Sequence, residues 1–170
     1  LGEALKLTQT EHYAVLGDLG DNERATLAQT MEKLHEEWVR LFPGAASSNL
    51  LPGKQRVYAF VKNPPYLRLV RHLHNEGKRT GEWSQSYAQQ EEARMKLRLR
   101  ETSFWMTQPE ILSAHVQMPD PFEGLKAHCV HLGANVLATR YGNPLRFPSW
   151  WLLEGIAYYF EQRVTGSIQT

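Results

Sequence analysis

The chain has 170 residues, 42% of them hydrophobic and 22% charged. That is the size of one ordinary domain able to bury its own core, and the composition excludes a disordered tail. Lys and Arg number 19 against 18 Asp and Glu, a formal net charge of +1, so no general field draws in nucleic acid or an anionic membrane.

No apolar run approaches the ~20 residues of a membrane-spanning helix, and no transmembrane segment is expected. Cys129 is the only cysteine. It rules out an internal disulfide and leaves the compartment open. The chain begins with Leu, as a processed product would, which leaves room for an upstream export signal.

In chain order, "HYAVLG" at 12–17 is a β-prone run closed by the Gly-, Asp- and Asn-rich "DLGDN". Asp21 or Asn22 is placed to cap the next element. There Leu27, Met31, Leu34, Trp38 and Leu41 recur at spacings of four and three, which predicts one buried face of a helix of about five turns. "FPG" at 42–44 stops it, and "AASSNLLPG" is a loop. "QRVYAFV" at 55–61 is apolar on both faces, as an interior strand covered on two sides would be. "NPPYLRLVRHLHN" predicts a short helix with proline in its first turn and Leu69, Val70 and Leu73 inward.

The stretch 75–102 is the least legible: "SQSYAQQEEARMKL" favours helix and "MKLRLRE" alternates like a strand. It reads as helix running into an exposed connection. "TSFWMT" and "EILSAHVQM" are strand candidates separated by Gln108-Pro109. From Phe122 to Arg140 the pattern is helical, with Leu125, Val130, Leu132, Val136 and Leu137 supplying apolar surface. Tyr141-Gly142-Asn143-Pro144 ends it. Pro148 is placed to start a last helix, in which Leu152, Ile156, Tyr159 and Phe160 are the candidates for burial. Strands early and a helix pair late predict an α+β fold, a small mixed sheet packed on helices. One domain is expected over 1–170, with a sheet-containing part at 1–118 and a helix pair at 121–164.

The helix pair carries the motif. "PSWWLLEGIAYYFE" at 148–161 resembles the second signature of gluzincin metallopeptidases of the peptidase MA-like group, through Pro148, Trp151, Leu152, Glu154, Gly155, Ile156, Ala157 and Tyr159. The resemblance implies a zincin-like fold in which Glu154 stands where the family places its glutamate zinc ligand. Upstream the family carries His-Glu-x-x-His on a helix, two histidines on one face with a glutamate that activates metal-bound water. Here that place reads Ala127-His128-Cys129-Val130-His131. His131 and Glu154 match the second and third ligands at the family's spacing. Ala127 falls on the first ligand and His128 on the general base.

The departure points to a domain that has lost peptidase activity and keeps a binding or assembly role, with no metal cofactor. A rival reading is a zinc-dependent hydrolase in which His128, His131 and Glu154 converge on one ion, since positions three apart on a helix are neighbours. Such a site has no carboxylate base, and general acid–base catalysis worth ~10²–10⁴-fold is then at risk. A third reading is a purely structural subunit of a larger assembly, marked by an exposed apolar patch with the Trp83 region and 75–102 as contributors. Cys129 projects about 100° around the helix from His128 and makes a poor ligand. Without any metal, the two histidines are ordinary buried residues and Glu154 bonds within the helix pair, with Gly155 allowing close helix approach.

Other residues have plainer readings. His72 and His74 point to different helix faces and suit a solvated surface. "RMKLRLR" is basic but lacks interleaved aromatics, so nucleic acid is not an expected partner. Trp150 and Trp151 read as core and lip aromatics. His115, Trp151 and Tyr158 are the candidates for lining a cleft, His115 on condition that its segment is an edge strand to which an extended peptide adds. A protein or peptide partner is expected, and the resemblance tilts localisation toward the extracytoplasmic side.

Overall fold

The structure, a computed structural model, describes residues 5–44, 51, 53–80, 101–107, 110–116, 121–141 and 149–168, without side chains at 63, 70, 73–74, 76–80, 101–107 and 110–116. The described elements are β1 (Lys6–Gln9), β2 (Tyr13–Gly17), α1 (Asp21–Leu41), β3 (Gln55–Phe60), α2 (Asn63–Thr80), β4 (Glu101–Thr107), β5 (Glu110–Val116), α3 (Pro121–Tyr141) and α4 (Trp150–Thr165). They form one mixed sheet in the order β1-β2-β3-β5-β4. The inner pairs β2/β3 and β3/β5 are parallel, and the outer pairs β1/β2 and β4/β5 are antiparallel. The fold is α+β.

Helix α1 follows from its spacing: Leu27, Met31, Leu34 and Trp38 are all buried. Its cap differs from expectation. Gly20, not Asp21 or Asn22, holds the N-cap, and its N–H donates to the Glu23 carboxylate at 2.9 Å. A negative side chain in the first turn suits the positive end of the helix dipole. Buried Arg24 ties the helix to the sheet through the Leu19 carbonyl at 2.7 Å and the Thr8 hydroxyl at 3.1 Å.

β3 lies inside the sheet, as its apolar faces predict. Val57 and Ala59 join the core under α1 and α3. Phe60, on the opposite face by the two-residue period of a strand, meets Tyr66 of α2 edge-on at 6.0 Å. The Asp18 carboxylate just beyond β2 accepts the backbone N–H groups of Val61 and Lys62 at 2.9 and 3.1 Å, tying the ends of β2 and β3 together. At Gly17 a Cβ would fall 1.8 Å from the Ala59 carbonyl oxygen, so only glycine fits this close approach.

β1 is an element the sequence did not announce. It is a four-residue edge strand, largely exposed, with no buried alternation to reveal it. α2 runs further than expected, to Thr80; Leu69 is buried and His72 exposed, as predicted. The readings of 81–100, including "SQSYAQQEEARMKL" and the Trp83 region, lie outside the described residues, as does Pro148.

α3 is the central helix. Nearly every residue from Gly124 to Ala138 is buried, because the sheet, α1 and α4 all pack on it. This explains why it presents almost no solvent-facing side, and its polar residues His128, His131 and Asn135 are buried with the rest. Among the described residues, no helix is long and apolar enough to cross a membrane.

Candidate functional site

The α3/α4 pair brings His131 and Glu154 together. His131 Nε2 lies 3.2 Å from Glu154 Oε2. The other ring nitrogen, Nδ1, lies 3.2 Å from Oε2 of Glu161, two turns further along the same face of α4. Glu161 is fully buried and Glu154 partly so. His131 therefore sits between two carboxylates, one at each ring nitrogen. Each ring nitrogen can hydrogen-bond the carboxyl facing it, with donor and acceptor roles set by the tautomer, so the geometry forms a Glu154–His131–Glu161 triad. Glu161 had no place in the sequence reading. Its signal was a carboxylate seven residues after Glu154 on the same helix, wedged between Phe160 and Val164, both buried.

His128 is buried on the same helix, but its ring lies parallel to that of His131, with centroids 6.4 Å apart and planes within 10°. Its ligand atoms do not gather with those of His131 and Glu154 within 4.8 Å. Among the described residues, the only set of three His, Cys, Asp or Glu side chains whose ligand atoms gather within 4.8 Å lies elsewhere, at His12, Glu32 and His35. Ala127 is buried and offers no ligand atom. Cys129 faces the core, and burial pushes its thiol up to about 12. The free thiol is protonated at neutral pH. The α3/α4 residues do not fit a three-ligand zinc centre of the kind ordinary zinc hydrolysis uses.

The cleft candidates divide. Tyr158 stands edge-on to His131 at 4.9 Å and is partly exposed. Trp150 and Trp151 are 71% and 74% exposed, so neither is a core aromatic. His115 lies on β5, opposite Phe60 of β3 on one side and Thr102 of β4 on the other. β5 is thus an interior strand with both edges paired, and strand addition there is closed off; β4 and β1 are the outer strands.

Of the four residues expected to be buried on α4, Phe160 is buried and Ile156 half-buried, but Leu152 and Tyr159 are exposed. Leu153, Ala157, Glu161 and Val164 point inward with Phe160. The physical reason is the inward pull of Phe160, stacked on Trp38 at 4.9 Å, together with Glu161 on His131. Gly155 does not mediate a close helix approach, because a Cβ there would meet nothing within 4 Å. Leu152, Gly155, Ile156 and Tyr159 instead line an open apolar cavity of about 330 Å³ together with Phe160 of the same helix and Leu41 and Phe42 at the end of α1.

A second cluster, not anticipated, joins the β1–β2 turn to α1. His12 Nδ1 lies 2.8 Å from Glu32 Oε2, and the His12 backbone N–H donates to Glu32 Oε1 at 2.7 Å. His35, one turn on from Glu32, stacks its ring on His12 at 3.9 Å. Burial and the neighbouring His12 hold the His35 imidazole below its ordinary range. Burial works to raise Glu32, but hydrogen bonds from the Thr10 hydroxyl and from His12 outweigh it and the carboxyl is held low. Glu32-x-x-His35 was visible as a helical pair, but nothing in linear spacing joined His12 to it.

Comparison with protein-family models, with curated proteins and with solved structures finds no match to this chain.

Proposed function

We propose that this chain is a gluzincin-like α+β domain that has lost peptidase chemistry and serves as a binding or assembly module for a protein or peptide partner. The observation that carries the reading is His131 held between Glu154 and Glu161. A family-type site would use Nε2 and Glu154 on zinc, with the far carboxylate orienting the imidazole from behind, as carboxylate–histidine–zinc arrangements do. Here Ala127 and His128 stand where the first ligand and the base belong, and a proton between Nε2 and Glu154 satisfies both groups without an ion. The frame persists and the catalyst does not.

The binding half of the reading rests on α4. Trp150, Trp151, Leu152, Tyr158 and Tyr159 are exposed along one helix, beside the apolar cavity under Leu152. Contiguous exposed apolar side chains of this kind mark interaction surfaces, and Trp and Tyr are the residues most often found as interface anchors. The same exposed row favours the reading of a subunit within a larger assembly. The variant His128–His131–Glu154 hydrolase is the weaker reading, because the ligand atoms of these three residues do not gather within 4.8 Å of one another.

The test is hydrolysis of a mixed peptide library by zinc-supplemented protein, with Glu154→Ala alongside. Equal background from both proteins is expected. Turnover that Glu154→Ala abolishes would overturn the proposal and restore the hydrolase.

A further inference from the structure

We propose that His12, Glu32 and His35 form a binding site for one divalent transition-metal ion of the zinc class, clamping the β1–β2 turn to the middle of α1. This site is independent of the α3/α4 pair. Each of the three residues places one ligand atom within 4.8 Å of the others', from two separate elements. Two imidazoles and one carboxylate are a donor set for zinc, cobalt, nickel or copper and not for the all-oxygen preferences of calcium or magnesium.

The cluster is held in place before any ion arrives. Glu32 Oε1 is fixed by the His12 backbone N–H at 2.7 Å, and the His12 carbonyl accepts the Gln55 N–H at 2.7 Å. That leaves Glu32 Oε2 facing the His12 ring at 2.8 Å, the position where an ion would replace the shared proton. Atoms bound at ~2.0–2.1 Å around a tetrahedral ion lie about 3.3 Å apart, so the pair opens by roughly half an ångström on binding. The stacked His35 ring, now 23° from parallel with His12, turns about its own side-chain bonds to direct a nitrogen at the same point. The His12 side chain is 30% exposed and that of Glu32 14%, so water reaches the site and fills the open position.

Binding uses the unprotonated nitrogen of each neutral imidazole and one Glu32 oxygen, and forms metal–ligand bonds alone. Its consequence is mechanical. The turn that begins β2 becomes tied to α1 through an ion in place of one hydrogen bond.

The experiment is equilibrium dialysis of the full chain against zinc, with His35→Gln, Glu32→Gln and Glu154→Gln, each checked for folding by far-UV circular dichroism. One zinc per chain is expected for the wild type and for Glu154→Gln. Affinity should fall by about tenfold or more in His35→Gln, since even outer-sphere changes cost that much. In parallel, zinc added to the wild type should shift the imidazole resonances of His12 and His35 and leave those of His128 and His131 in place, a readout that needs no variant to fold. No zinc uptake, uptake unchanged in both His35→Gln and Glu32→Gln, uptake lost in Glu154→Gln, or shifts at His131 alone would each overturn the assignment.

Discussion

His131→Ala is expected to lower the stability of the fold by about 3–5 kcal/mol, the combined cost of taking a hydrogen-bond partner from buried Glu161 and opening a cavity in a packed helix pair. The side chain is 8% exposed and its two nitrogens face carboxylates at 3.2 Å, one of them on fully buried Glu161. Alanine withdraws the imidazole from both at once and leaves a cavity between α3 and α4. His131→Gln retains an amide donor and should recover part of the loss. In a double-mutant cycle with Glu161→Leu, a coupling of about 1–3 kcal/mol is expected, because replacing both members removes the buried carboxylate along with its partner. Denaturant unfolding monitored by tryptophan fluorescence measures all four proteins. A loss below about 1 kcal/mol for His131→Ala would mean that the triad contributes little and that the helix pair is held by apolar packing alone.

Trp38→Ala is expected to cost about 3–5 kcal/mol, as large-to-small changes of buried aromatics do. Trp38 is 1% exposed and sits where α1, α3 and α4 meet. It stacks on Phe160 at 4.9 Å, tilts against Phe42 at 4.8 Å and meets Tyr141 edge-on at 6.3 Å. These contacts fix the rotation of α4 and so decide which of its residues face solvent. The surface ties between the helices are weaker. Glu37 receives exposed hydrogen bonds from Arg40 of its own helix and from Arg163, which contribute little, and Lys33 donates to the Val164 carbonyl at 3.0 Å. Trp38→Phe should therefore keep most of the stability that Trp38→Ala loses. Thermal or denaturant unfolding of the two variants is the check, and equal losses would mean that ring volume, not an aromatic contact with Phe160, sets the cost.

These two residues also show what the sequence made legible. Trp38 belongs to the four-and-three spacing of α1, where burial on one face of a long helix repeats often enough to be read directly. The meeting of His131 with Glu154 was expected from motif spacing, and the structure brings the two into contact. Glu161 was not foreseen, because a carboxylate becomes a partner only once the rotation of α4 is known. That rotation was legible only in part: "LLEGIAYYF" is apolar on every side, so hydrophobicity alone could not choose Leu153 over Leu152 or Phe160 over Tyr159.

The edge position on which a cleft role for His115 depended stayed open in the sequence for a related reason. "SAHVQM" carries no mark of whether a later or earlier strand covers it, and β4, which precedes it in the chain, takes the outer position. β1 escaped notice because an exposed edge strand has no buried face to produce alternation. The His12–Glu32–His35 cluster is tertiary in origin, made by a turn docking on the middle of a helix 20 residues away.

The most direct test of the central claim, that the His131–Glu154 pair no longer works as a zinc centre, is a zinc titration of the His35→Gln protein followed at the ¹⁵N imidazole resonances of His131. In this background the second cluster is disabled and any ion must answer to α3 and α4. The His131 resonances are expected to stay where they are as zinc is added. A saturable shift of the Nε2 signal, abolished by Glu154→Ala, would contradict the account and make the helix pair a metal site.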